Sequence, residues 1–489
     1  MHEKPIIKVI QMRKGTDKGI MVFSSFTFLF YFLPAFLALY FLAPSAWKNA
    51  VIFFASLIFY YYGVKEHPFY LVLMLISVFV NYTAARFMAR CRSGRRRSIW
   101  LTAGLAWNLG CLFVFKYLGF LTENINRLSG IFGTGMRIPA VQLVLPIGIS
   151  FYTFQISSYL IDVYRRSVRA ERSFLTLGTY LCMFPQLIAG PIVTYSHVQE
   201  QLQERVSSFR NLEDGLREFT IGLSLKVLIA NQVGNLWTQV NSIGYESISC
   251  PLAWLGIMAY TFQIYFDFYG YSLMAKGLGQ IMGFDFPDNF HNPYLSRSMT
   301  EFWRRWHMTL GGWFREYVYI PLGGNRSHPY RNLFLVWMLT GLWHGAGWNY
   351  VLWGFSIFVL ILMEKRCGLL KLPDRVPVLG HLYMFLVIPL SWLVFAVPDV
   401  GRIGLYLCRL FPFVKQTAGT VFHGDFIKYG TAYLGSMTAA FVCCTGIPRK
   451  LYEAKKYSFP VTCGLVILFW WCAYCMYLGL DDPFLYYQF

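Results

Sequence analysis

Apolar runs long enough to cross a bilayer recur along almost the whole chain, and they constrain its fold more than any motif does. A spanning helix needs about 20 mainly apolar residues. Such runs cover residues 25–43, 68–85, 100–117, 143–162, 218–240, 252–273, 380–398, 430–447 and 460–479. A shorter run, 50–63, spans if it tilts or if the bilayer thins locally. Composition agrees: 56% of the 489 residues are hydrophobic and 14% charged, which is the balance of a polytopic membrane protein and not of a soluble one. The expected fold is an all-α polytopic membrane protein of about 10–11 transmembrane helices plus re-entrant and interfacial helices. Residues 21–489 are expected to form one membrane domain. Residues 1–20 are polar, with five basic side chains, and read as an N-terminal extension that is disordered or precedes the true start at Met21.

The net charge of +19 does not point to nucleic acid. Its arginines and lysines fall in short runs between apolar segments, as the positive-inside rule expects, and no nucleic-acid motif accompanies them. One run holds Arg86, Arg90, Arg92, Arg95, Arg96 and Arg97; a second holds Arg165, Arg166, Arg169 and Arg172; a third holds Arg449, Lys450, Lys455 and Lys456. With all three on the cytoplasmic side, segment 174–193 has to enter and return on one side. Its Phe184-Pro185-Gln186-Leu187-Ile188-Ala189-Gly190-Pro191 stretch supplies a helix break. The same count places both termini outside and makes 333–363 a broken hairpin through Gly345-Ala346-Gly347. Residues 196–217 read as an amphipathic helix of mixed charge. The 11 cysteines show no zinc spacing, so they are read as small hydrophobes in packed helices, and no metal is expected.

Within this apolar chain, residues 301–354 stand out for two histidines, His307 and His344. A titratable side chain at membrane depth is costly and usually functional. Read as one helix over 301–317, the segment places Trp303, Trp306, His307, Leu310, Trp313, Phe314 and Tyr317 within an arc of about 120°. Glu301, Arg304, Arg305, Arg315 and Glu316 then fall on the opposite side. His344 ends an apolar run and precedes small residues that admit a second backbone or a substrate. A neutral imidazole there suits a general base. A structural histidine, an interfacial tryptophan stripe and a positive-inside arginine cluster are the plain readings of each feature taken alone.

The runs FWRRWHMTLGGWFREYVYIPLGGNR and GLWHGAGWNYVLWG, with MVFSSFTFLFYFLP, LPIGISFYTFQISSYLIDVYR, FPQLIAGPI, YTFQIYFDFYGYS and NPYLSRSMTEFWRRWH, resemble the membrane-bound O-acyltransferase family in family order. The run YIPLGGNR is similar to the bacterial alginate O-acetyltransferase branch, and less so to the branch that transfers D-alanine to teichoic acids. The resemblance implies a membrane-bound O-acyltransferase core and catalytic roles for His344, the base, and His307. It implies an acyl thioester donor, acetyl-CoA, and no tightly bound cofactor. Arg304, Arg305, Arg315 and Arg326 are the expected contacts for the donor's phosphates. It further implies an extracytoplasmic SGNH-like acetyltransferase partner, membrane lipids around the chain and a place in the bacterial cytoplasmic (inner) membrane. Two positions depart from the pattern: Leu273 stands where relatives often carry Asp, and Gly311-Gly312 replaces a Ser-Thr-like pair. A proton-coupled transporter or flippase, with the histidines in a relay, is the alternative of another class. The lack of an internal repeat weighs against it. A scaffold subunit of a secretion complex is a third.

Overall fold

The computed structural model describes residues 21–133, 135, 137–139, 141, 143–366, 376–413 and 421–478, so the segment 1–20 lies outside the described residues. Among the described residues there are helices and no strands. Those that build the body are α1 (Phe28–Leu42), α2 (Lys48–Gly63), α3 (Phe69–Arg90), α4 (Gly94–Ile131), α5 (Ile149–Arg165) and α6 (Phe174–Cys182). Next come α7 (Phe209–Ser224, running on through Leu225–Ala230 and Asn231–Ile243), α8 (Cys250–Ile281), α9 (Met299–Arg305) and α10 (Met308–Phe314). The last are α11 (Pro329–His344), α12 (Trp348–Arg366), α13 (Pro377–Ala396), α14 (Asp425–Cys444) and α15 (Phe459–Tyr477).

Four of these, α3, α4, α13 and α15, are each long and apolar enough to cross a membrane. Helix α14 and Ile447–Ala454, bent by 65° to each other, pass the same test together, as a broken span or a re-entrant loop. The protein is therefore a multi-pass, all-helical membrane protein. The other expected spans are helical but do not combine the length and apolarity of these. Helix α2 has 16 residues and α5 has 17, while α8 has 32 and is almost wholly buried inside the bundle. Several boundaries differ from the sequence pattern. The run 143–162 becomes helical only at Ile149, after Pro146 and a left-handed Gly148 (φ +74°). The amphipathic stretch 196–217 splits into Tyr195–Gln203 and the start of α7, which continues unbroken through a wide π turn at Leu225–Ala230.

The close pair at the centre is α7 against α8. Gly215 and Gly222 face Gly277 and Gly270, and a Cβ on Gly270 would lie 2.6 Å from the Gly222 carbonyl oxygen. Between helices in lipid, where the hydrophobic effect supplies little, such small-residue seams let backbones touch. Lys226 and Asp267 form an ion pair of 2.7 Å across this seam, with both side chains buried. The α11–α12 hairpin has the same character: Gly341 lies against the Tyr350 carbonyl, and a Cβ on Gly354 would stand 2.5 Å from the Trp337 oxygen.

The first two basic runs meet at the end of α5. Arg97 donates to the carbonyls of Val163 (3.0 Å) and Tyr164 (2.7 Å), tying the α3–α4 turn to the end of α5. Arg165 pairs with Glu316, 2.9 Å away, just beyond α10. The segment after α5 doubles back on itself. Its ends meet where the Tyr195 hydroxyl donates to Glu171 (2.6 Å), and between them the chain breaks at Met183 and again after Leu187.

Candidate active site

The segment expected as one helix over 301–317 is two. Helix α9 ends at Arg305, and α10 starts at Met308. His307 between them is left-handed (φ 44°, ψ 52°), a conformation uncommon for a non-glycine residue and often found at functional sites. The break survives because a neighbouring strand of chain takes over the freed backbone groups. The Met308 N–H donates to the Asn289 carbonyl and the His291 N–H to the Arg305 carbonyl, both at 2.9 Å. Helical periodicity therefore misplaces the two sides of this segment. The break turns His307 inward, and Arg304 and Arg315 on either side of it face the same cavity as the histidine instead of the opposite direction.

His307 is 2% exposed, and its ring packs edge-on against Phe268 at 4.6 Å. Its Nδ1 meets Asn289 Oδ1 at 2.9 Å. The Asn289 amide nitrogen donates to Ser272 Oγ (3.2 Å) and to the Gly190 carbonyl (3.4 Å). That leaves Oδ1 as the acceptor facing the imidazole, where it also receives the Thr309 hydroxyl at 2.9 Å. In neutral His307 the proton thus sits on Nδ1 and the lone pair on Nε2. Nε2 is buried and has no hydrogen-bond partner among the described residues. Thr309 in turn accepts from the Ile192 N–H at 3.0 Å, so the break after α6 buttresses the histidine.

His344 is the last residue of α11, 6% exposed. The extended Gly345 (φ −176°) follows it, and the hairpin turns through Gly345-Ala346-Gly347 before α12 begins at Trp348. Its ring is held by packing on Trp343, Trp353 and Phe395, with centroids 4.9, 5.2 and 5.1 Å away. Nδ1 has no partner among the described residues. Trp343 lies between the two histidines, its ring 6.1 Å from that of His307.

Both histidines line one cavity of about 290 Å³. Leu333, Val336, Trp337, Thr340 and His344 form its α11 wall at spacings of three and four residues. At 1.5 Å per residue this stripe runs about 16 Å, with His344 at one end. Leu310, Phe314 and Ile361 make the sides apolar, while Arg304, Arg315, Tyr319, Asn325 and Lys365 surround the opposite end. Arg315 precedes the Glu316 that pairs with Arg165, so this mouth lies beside the basic end of α5. Of the four arginines expected to meet the donor, Arg304 and Arg315 line the cavity. Arg305 is paired with Glu301 at 2.6 Å, and Arg326 is exposed and lies outside the lining. Asn289 and Lys365 were not marked by the sequence, Asn289 standing 18 residues before His307; Ser272 and Thr309 lie inside the family blocks, where nothing distinguishes them from their neighbours. A shaft with a cationic rim, apolar walls and two unpaired imidazole nitrogens suits an elongated anionic ligand whose far end reaches a dry site.

Comparison with known proteins agrees. Residues 165–371 match the family model described as the membrane-bound O-acyltransferase family. The chain is 37% identical to the probable alginate O-acetylase of Azotobacter vinelandii over 447 residues, covering 90% of this chain and 87% of the relative. It is 33% identical to the peptidoglycan O-acetyltransferase of Helicobacter pylori, covering 80% and 82%. The teichoic acid D-alanyltransferase of Streptococcus thermophilus is 27% identical, with 69% and 93% covered.

Proposed function

The chain belongs to the membrane-bound O-acyltransferase family and is an O-acyltransferase, and from that premise we propose that it moves an acetyl group from cytosolic acetyl-CoA towards an extracytoplasmic polysaccharide or cell-wall acceptor. The observation that carries this reading is the single cavity with Arg304, Arg315 and Lys365 at its mouth and both histidines on its wall. The phosphates of the donor rest at the cationic rim, the pantetheine arm lies along the apolar wall, and the thioester reaches His344. The acceptor oxygen attacks the thioester carbonyl carbon as His344 takes the hydroxyl proton. The carbon–sulfur bond then breaks, and the imidazolium returns the proton to the thiolate.

His307 takes a different part. Polarising the carbonyl would need a donor at Nε2, whereas the Asn289 contact favours the proton on Nδ1. A bare Nε2 accepts, so His307 holds a neighbouring hydroxyl of the acceptor or an N–H of the donor arm. The final acceptor is reached through an extracytoplasmic SGNH-like acetyltransferase partner, and the chain works in the bacterial cytoplasmic membrane.

The test uses inside-out vesicles of cells that carry the protein and its acceptor. Labelled acetyl-CoA is supplied at the exposed cytoplasmic face, and label is followed into polymer on the other side. Label retained on polymer, lost when the partner is deleted, supports the relay. Label transferred only from a D-alanyl carrier thioester, and never from acetyl-CoA, replaces acetyl by D-alanyl transfer.

A further inference from the structure

We propose that Lys116 is a positioning residue that sets the depth and direction of His344 by clamping the end of α11; this rests on the reading of His344 as the base. The last carbonyls of any helix lack partners within it. At the end of α11 two of them are taken by adjacent residues of α4. The Tyr117 hydroxyl donates to the Leu342 carbonyl at 2.6 Å, and the Lys116 ammonium donates to the Trp343 carbonyl. Lys116 also donates to Ser150 Oγ at 3.0 Å, and the Trp343 indole N–H reaches the Ser150 carbonyl at 3.4 Å. Three elements, α4, the first turn of α5 and α11, thus meet at the residue before His344.

The local fold of α4 is built for this contact. Residues Phe113–Tyr117 form a π turn inside an otherwise regular helix. Such bulges alter which side chains face a neighbour and recur at functional sites. Here Lys116 and Tyr117, adjacent in sequence, both reach α11. The lysine has no carboxylate partner among the described residues. A half-buried ammonium without a counter-ion is still costly, and a helix C-terminus is one of the few neutral partners that attract it. No hydrogen bond holds the His344 ring at Nδ1, and the three residues that follow it are small. Its depth is therefore set by where the α11 backbone is anchored, which is the clamp.

The experiment compares Lys116→Met, Lys116→Arg, Tyr117→Phe and His344→Ala in detergent-solubilised full-length protein. For each it reads kcat, the KM for acetyl-CoA and the unfolding temperature. Partners that orient metal-bound histidines are worth about 10- to 100-fold in activity, and by analogy a loss of that order is expected in kcat for Lys116→Met. The KM should stay within about threefold, because the cationic mouth is untouched. Lys116→Arg should recover a substantial part of kcat, and Tyr117→Phe should lose less than Lys116→Met. A kcat for Lys116→Met within about twofold of the unmodified protein overturns the proposal. So does a loss that follows a fall in unfolding temperature and is shared equally by Lys116→Arg. Activity retained in His344→Ala would instead remove the reading on which the proposal rests.

Discussion

Asn289→Leu is the substitution that most sharply separates a tuned imidazole from a merely buried one. Leucine is close in size, so the backbone bonds from the Met308 N–H to the Asn289 carbonyl and from the His291 N–H to the Arg305 carbonyl survive. What disappears is the acceptor at 2.9 Å from His307 Nδ1 and the amide that fixed its direction. The imidazole then keeps its proton on Nδ1 with no acceptor, or shifts it to Nε2 and turns an acceptor into a donor. Leaving a buried donor unpaired costs about 1–3 kcal/mol. The competent tautomer therefore falls by about 5- to 150-fold relative to its rival, at 1.4 kcal/mol per decade. The assay is steady-state acetyl transfer from labelled acetyl-CoA, with protein level matched by immunoblot. The expected result is a drop in kcat of that size with little change in the KM for acetyl-CoA, whose mouth residues are Arg304, Arg315 and Lys365. Asn289→Asp is the complementary variant. A carboxylate would draw a second proton onto His307, and activity should fall although the geometry is kept, as happens when a histidine's orienting partner is changed. Unchanged kcat in both variants would refute the assignment of Nε2 as an acceptor.

Other expectations follow from the same geometry. Arg315→Ala and Lys365→Ala should each raise the KM for acetyl-CoA by about two- to fivefold, the size of an exposed charged contact; the effect should shrink with added salt, and Arg305→Ala and Arg326→Ala should change KM little. Gly341→Val should destabilise the α11–α12 hairpin by about 1–3 kcal/mol or more, since its Cβ meets the Tyr350 backbone; a thermal shift in detergent reads this. Lys226→Met removes the cation 2.7 Å from Asp267 in the core and should cost about 3–5 kcal/mol, whereas Lys226→Met with Asp267→Leu should recover most of it. Equal melting temperatures for the single and double variants would count against the pair.

Much of this molecule was legible in its sequence. Apolar runs gave the helical class, and the glycines after His344 and around Pro185 marked the two breaks at membrane depth. The family blocks pointed to both histidines. Other features were hidden because they depend on contacts between distant residues. The split at His307 is stabilised by backbone bonds to residues 289–291, which no local periodicity reports. A wheel over 301–317 therefore set the arginines apart from His307, whereas Arg304 and Arg315 share its cavity. Lys116 looked like an isolated charge in an apolar run. Its meaning comes from the carbonyls of Leu342 and Trp343, more than 200 residues away. Arg305 and Arg326 matched a basic motif, yet Glu301 occupies the first and the second lies outside the cavity lining.

The most direct measurement is single-turnover acetyl transfer from labelled acetyl-CoA by His344→Ala and by His307→Ala, in membranes with matched protein and with bound donor quantified separately. A general base contributes about 10²- to 10⁴-fold. His344→Ala should therefore bind acetyl-CoA nearly as before and lose transfer by that factor, with His307→Ala losing less. Transfer by His344→Ala within about tenfold of the unmodified protein, alongside a larger loss in His307→Ala, would contradict the account and make His307 the base.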